Sequence, residues 1–159
     1  MRPEQEIVER LFAQHKTLCT AESCTGGWLA KRITDVPGAS AVFECGFVCY
    51  SNRIKHALLG VREETLQSFG AVSSQTAREM ALGALRASGA DVAVSVTGIA
   101  GPASDDTQKP VGLVYIAVTD GERTDVQEYR SAYTGDVRAQ NRRASTERAL
   151  LQLGRFLTE

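Results

Sequence analysis

Apolar residues recur at helical spacing near both ends of the chain and form short, dense runs in between. Ile7, Val8, Leu11 and Phe12 share one face of a helix over residues 4–15. Ala144, Leu150, Leu151, Leu153 and Phe156 sit on a closing helix over about residues 136–157. Residues 17–21 lean towards a short strand, and WLAKRITD towards a helix that must end before Pro37-Gly38. VFECGFVCY, residues 42–50, reads as a buried strand. SNRIKHALLG reads as a helix capped by Ser51 or Asn52 and ended by Gly60. VREETLQSFG supplies a helical turn or two, and SSQTAREMALGALRAS a longer helix capped by Ser73 or Ser74 and ended by Gly89. DVAVSVT is almost continuously apolar, as a central strand of a covered sheet should be. GIAGPASDDTQKP has no periodicity and reads as a loop. VGLVYIAVT is a further strand, DGE a turn, and RTDVQEYRSA an alternating, more exposed strand. Helices and strands alternate, then two strands meet at a tight turn. The pattern predicts an α/β fold, a three-layer α/β/α sandwich with a mixed, mainly parallel sheet. One domain spans residues 1–159, with no internal repeat or linker.

Charge and composition narrow the classes of function. The net charge of −1 lacks the basic excess of a dedicated nucleic-acid binder, so no nucleic-acid partner is expected. No apolar stretch is long enough to span a membrane, and MRPEQEIVER carries no apolar signal core, which favours a cytoplasmic protein without a membrane partner. Cys19, Cys24, Cys45 and Cys49 show no CxxC spacing; free thiols are expected, with no metal site.

Three segments could carry chemistry. In Glu22-Ser23-Cys24-Thr25-Gly26-Gly27 a strand gives way to a helix, the place where open α/β sheets build sites. Ser23 could be a nucleophile, with neighbouring N–H groups receiving an oxyanion. Ser23 or Thr25 could equally do no more than cap the helix. Cys24 is a rival nucleophile that would need His15 or His56 as base. In the second segment, Tyr50-Ser51-Asn52-Arg53-Ile54-Lys55, a lysine one turn into a helix could point back over the strand end. Lys55 is either a base, its pKa lowered by burial, or a solvated helix lysine. Tyr50 could hydrogen-bond a substrate or close the core. The third segment, Thr97-Gly98-Ile99-Ala100-Gly101-Pro102, follows the central strand. Its glycines could present N–H groups to a phosphate, or serve only as a tight connection; no GK[ST] follows, so it is not a P-loop. Arg138, Arg142, Arg143 and Arg148 on the last helix are candidates for a phosphate or carboxylate, or surface charges.

A longer pattern joins these pieces. TAESCTGGWLAKRITDVPGAS, FECGFVCYSNRIKHALLGV, GAVS and VSVTGIAGP…KPVGLVYIA resemble the CinA C-terminal domain family over about residues 5–157. That family also occurs as stand-alone nicotinamide-nucleotide amidohydrolases. The resemblance implies hydrolysis of nicotinamide mononucleotide to nicotinate mononucleotide and ammonia, in pyridine-nucleotide salvage. It implies a Ser/Lys mechanism with no metal or other cofactor, a small-molecule substrate as partner and a homo-oligomeric assembly. It places the nucleophile on Ser23, the base on Lys55 and the accompanying tyrosine on Tyr50. Substrate binding falls on Cys24, Thr25, Gly26, Gly27, Thr97, Gly98, Ile99, Ala100 and Gly101, with Arg142 as the phosphate arginine. Two departures keep open an inactive homologue that binds a nucleotide or a protein partner in competence or DNA-damage responses. After GIAGP the family often reads DGGS where this chain has Ala103-Ser104-Asp105-Asp106, losing two glycines and gaining the acids Asp105 and Asp106, and Val137 stands where an arginine is usual.

Overall fold

The computed structural model describes residues 1–105 and 107–159. Six helices and five strands alternate much as the hydrophobic pattern requires. They are α1 (Pro3–Gln14), β1 (Leu18–Glu22), α2 (Trp28–Thr34), β2 (Phe43–Val48), α3 (Asn52–Leu59), α4 (Glu63–Phe69) and α5 (Ser74–Ser88). They continue with β3 (Val92–Gly98), β4 (Val114–Thr119), β5 (Thr124–Tyr129) and α6 (Val137–Phe156). A short 3-10 turn, Ala39–Ala41, precedes β2. The expected helix ends are present. Ser51 Oγ accepts the Ile54 N–H, Ser73 Oγ accepts the Thr76 N–H, and Gly60 and Gly89 close their helices in the left-handed conformation.

The sheet order is β2-β1-β3-β4-β5. β1 pairs in parallel with β2 and with β3, whereas β3–β4 and β4–β5 are antiparallel. Four strands therefore run one way and β4 alone runs back. β3 is buried on both faces, as its apolar run predicts. β2 is not the buried strand that its composition suggests. It lies at the sheet edge, and its residues alternate between half-buried and exposed, with Val48 half exposed. Cys45 and Phe47 there pack against the core beneath α3 and α5, and Phe43 against the core on the other face.

Alternate residues of the central strands feed two cores. Leu18, Val92, Val94, Val96, Val114, Ile116 and Val118 face α1, α2 and α6, which supply Ile7, Leu11, Leu29, Ile33, Leu150 and Leu153. On the other face Cys19, Ala21, Ala93 and Ala117 meet α3 and α5 through Leu59, Ala77, Met80, Ala81 and Ala84. Small residues on this face bring α5 close to the sheet, where Ser95 Oγ donates to the Ala77 carbonyl at 2.6 Å. All four cysteines are free thiols.

Two consequences position the site. The chain leaves β1 for β2 on one side and later places β3 on the other, so the carboxyl end of β1 is a topological switch point. The C-terminal ends of β2, β1 and β3 then lie side by side. The second consequence is the close crossing of α3 over α5. A Cβ on Gly83 would lie 2.7 Å from the Leu59 carbonyl carbon and still closer to its oxygen, which is backbone and cannot swing aside. Alanine is the better helix former by about 1 kcal/mol, but forcing extra volume into a packed contact costs about 1–3 kcal/mol. Gly83→Ala is expected to lower the melting temperature by roughly 2–4 °C for each kcal/mol of net loss. A melting temperature equal to or above the parent's in a thermal scan would contradict the crossing.

Candidate active site

Three strand ends deliver the three candidate segments to one cleft. The turn after β1 is fixed by its backbone. Ser23 N–H donates to the Val96 carbonyl at 3.0 Å, tying the residue to β3. Gly26 N–H donates to the Ser23 carbonyl and Trp28 N–H to the Thr25 carbonyl, both at 3.1 Å. Gly26 and Gly27 have φ of 60° and 101°, which a side chain would disfavour. Ser23 is 9% exposed and Thr25 fully buried.

Neither Ser23 nor Thr25 caps α2. Gly27 stands at the cap position, with no side-chain hydrogen bond. The carboxylate of Glu22, itself fully buried, reaches back instead and accepts the N–H groups of Leu29 at 2.8 Å and Ala30 at 3.1 Å. Sequence reasoning missed this residue. Its one signal was a charged side chain at the end of an otherwise uncharged strand. Because Glu22 occupies two of the first N–H groups of α2, the helix start offers little positive potential to the turn. Cys24 reflects this: burial pushes its thiol up to about 11, and the Glu22 charge acts in the same direction. Such a thiol stays protonated near neutral pH and is a poor nucleophile. The histidine it would need is also absent from the cleft. His56 directs Nδ1 at the Val61 carbonyl, 2.8 Å away, and His15 is exposed at the end of α1.

Lys55 is the opposite of a solvated lysine. It is 1% exposed, with Nζ 3.0 Å from Ser23 Oγ and 3.1 Å from the Tyr50 carbonyl oxygen. The Ser51 cap sets the first turn of α3 so that residue 55 projects back over the ends of β1 and β2. Burial lowers its pKa from the ordinary 10.5; the Cys49 and Cys24 thiols act weakly the other way. No carboxylate pairs with it among the described residues. Nζ donates both to Ser23 Oγ and to the Tyr50 carbonyl.

Ser23, Cys24, Tyr50 and Lys55 form one wall of a cleft of about 260 Å³. Thr97, Gly98, Ile99, Ala100 and Gly101, from the third segment, form another. Ala71 and Val72, in the connection between α4 and α5, complete it. They are held by two side chains: Thr97 Oγ1 donates to the Ala71 carbonyl at 2.7 Å, and Lys109 Nζ donates to the Phe69 and Val72 carbonyls at 2.5 Å each. Gly26 and Gly27 stand behind the nucleophile turn, away from the cleft lining, and so does Thr25.

The arginines are arranged differently from expectation. Arg142 does not line the cleft. Its Nε donates to the Cys24 carbonyl at 3.1 Å and its guanidinium lies 5.7 Å from the Trp28 ring centroid, so it braces the turn after β1 from outside. Arg138 lines the cleft in its place. Val137 lies beside Gly101, where a Cβ on the glycine would stand 3.4 Å from a Val137 methyl. Asp105 also lines the cleft; Asp106 lies outside the described residues. No cluster of three potential metal ligands occurs among the described residues, nor any helix long and apolar enough to cross a membrane.

Comparison with known proteins follows the same lines. The model of the CinA C-terminal domain matches residues 2–157. The nicotinamide-nucleotide amidohydrolase PncC of Escherichia coli K12 is 48% identical over 145 residues, covering 91% of this chain and 87% of that protein. A putative competence-damage inducible protein of Caldicellulosiruptor saccharolyticus is 50% identical over 147 residues, 92% of this chain but 35% of that longer protein. The crystal structure of a CinA superfamily protein from Klebsiella pneumoniae superposes with a TM-score of 0.92 at 34% identity, covering 98% of this chain and 96% of that one. A match over nearly the whole length, in sequence and in fold, places this chain in the CinA C-terminal domain family.

Proposed function

We propose that the chain hydrolyses the carboxamide of nicotinamide mononucleotide to nicotinate mononucleotide and ammonia, with Ser23 as nucleophile and Lys55 as its base. The observation that carries the proposal is the buried Lys55 Nζ, without a carboxylate partner among the described residues, lying 3.0 Å from Ser23 Oγ. Relatives named for nicotinamide-nucleotide amidohydrolysis, at 48% identity across most of both chains, support the choice of substrate. The reaction would return nicotinamide nucleotide to the pyridine-nucleotide pool in its acid form.

In this mechanism neutral Lys55 takes the Ser23 proton as Oγ attacks the carboxamide carbon. The oxyanion is received by main-chain N–H groups after Ser23. That of Cys24, which lines the cleft, meets no acceptor among the described residues, whereas that of Gly26 is engaged by the Ser23 carbonyl. Protonated Lys55 then gives its proton to the departing amide nitrogen, which leaves as ammonia. Water next attacks the nicotinoyl ester; Lys55 takes a proton from the water and returns it to Ser23 Oγ. The Tyr50 carbonyl holds the amine in line throughout, which places the contribution of Tyr50 to the base in its backbone.

Ser23→Ala and Lys55→Met are each expected to lower ammonia release from nicotinamide mononucleotide by at least about a thousandfold while the chain stays folded. Full activity in both folded variants would remove the pair. Nucleotide binding by the parent with no ammonia release would point instead to an inactive homologue.

Lys55 also links activity and stability to pH. Its folded-state pKa lies below 10.5, so kcat/KM should rise as pH climbs through that lowered value. Between the lowered value and 10.5 the unfolded chain binds the proton that the native chain has released. The stability contribution of Lys55 is therefore greatest above 10.5 and is lost as pH falls to the folded pKa. Melting temperatures of Lys55→Met and the parent should differ most in favour of the variant near neutral pH, the difference shrinking as pH approaches 10.5. A difference independent of pH would contradict a lowered Lys55 pKa.

A further inference from the structure

Amide hydrolysis leaves one end of the cleft without a role, and that end is rich in hydrogen-bond donors. Arg138, in the first turn of α6, directs Nη1 at the Gly101 carbonyl and Nη2 at the Tyr50 hydroxyl, each at 2.8 Å. It therefore bridges the loop after β3 and the segment after β2, the two walls that flank Ser23. A guanidinium has five N–H donors, and these contacts engage two of them. Tyr50 Oη acts as acceptor here, so its own proton is left to donate. The main-chain N–H groups of Ala100 and Gly101, on the same wall, meet no acceptor among the described residues. Among the described lining residues Arg138 is the one cation besides buried Lys55.

A fixed positive charge surrounded by donors suits a ligand group made of acceptors and carrying negative charge, and the planar fork of arginine suits a phosphate in particular. Asp105, the one carboxylate among the described lining residues, turns Oδ1 onto its own loop, where it accepts the Thr107 N–H at 2.9 Å and the Thr107 hydroxyl. Arg142 is held outside the cleft by the Cys24 and Thr25 carbonyls. Position 138 is one step of about 100° around the helix from 137; Val137 lies beside Gly101, and Arg138 lines the cleft.

We infer that Arg138, with the Tyr50 hydroxyl and the N–H groups of Ala100 and Gly101, binds the phosphate of the substrate and makes the enzyme select nucleotides over unphosphorylated nucleosides. The inference rests on the proposed amidohydrolase reading for the remainder of the substrate, while the phosphate site stands on the donors themselves. Arg138 is thus a specificity residue, and the positioning of the nucleophile turn belongs to Arg142.

The test uses the whole chain and two readouts. Calorimetric titration with ribose 5-phosphate should show binding to the parent, weakened at least tenfold in Arg138→Gln and partly restored in Arg138→Lys, where the charge returns without the fork. In steady-state kinetics Arg138→Gln should raise KM for nicotinamide mononucleotide at least tenfold with kcat little changed. Its loss of kcat/KM should be at least tenfold larger for nicotinamide mononucleotide than for nicotinamide riboside, which lacks the phosphate. Unchanged ribose 5-phosphate affinity in Arg138→Gln, an affinity loss confined to Arg142→Gln, or a parent that does not bind ribose 5-phosphate would each overturn the assignment. A parent that binds ribose 5-phosphate through Arg138 but releases no ammonia from the nucleotide would sink the amidohydrolase reading alone.

Discussion

Removing a lysine ammonium from water without a counter-charge costs on the order of several kcal/mol, and the arrangement of this protein turns on how Lys55 escapes that cost. The side chain is sealed between the ends of β1 and β2, with Ser23 Oγ and the Tyr50 carbonyl as its polar partners. Neither partner is charged. A neutral amine is the less costly form in that setting, and in the proposed mechanism that amine is the general base for the Ser23 hydroxyl. Burial and reactivity are the same fact seen from two sides. The fold supplies the seal. β1 lies between two parallel neighbours, so three strand ends converge, and the close crossing of α3 over Gly83 fixes the helix that carries Lys55.

The choice between two adjacent nucleophiles follows from a second buried group. Serine and cysteine stand side by side at the start of a helix, a setting that would ordinarily favour the thiolate. Burial reverses the preference by pushing the thiol up, and Glu22, which occupies the Leu29 and Ala30 N–H groups, adds to it through its charge. Cys24 is left protonated and buried, which favours Ser23, with Lys55 Nζ at hydrogen-bond distance, as the proposed nucleophile. The same capping fixes the turn whose remaining N–H groups face no internal acceptor.

Much of this was legible in the sequence, and the remainder was hidden for identifiable reasons. Ser51, Gly60, Ser73 and Gly89 announced their helix ends because caps act locally, within four residues. The nearly unbroken apolar run of β3 announced a doubly covered strand. β2 misled because an apolar run does not say whether a strand has one neighbour or two. The meeting of Ser23 and Lys55 could not be read from spacing, since 32 residues separate them and a lysine on a helix is most often solvated; the resemblance to a family joined them. Glu22 was passed over because its partners come seven and eight residues later, beyond a turn whose shape the sequence does not state. Arg138 and Arg142 were told apart only by the path of α6 over the sheet, which takes the first into the cleft and holds the second outside it.

The central claim is that Lys55 is neutral at the pH where the enzyme works, and it can be measured on the residue itself. The chain has only four lysines, Lys16, Lys31, Lys55 and Lys109, so each side-chain signal can be resolved by NMR and that of Lys55 assigned by its loss in Lys55→Met. Following the ε-carbon shift against pH should give one lysine that titrates well below the ordinary 10.5, with the shift of a neutral amine under assay conditions. A Lys55 signal that titrates at 10.5 or above would contradict the account.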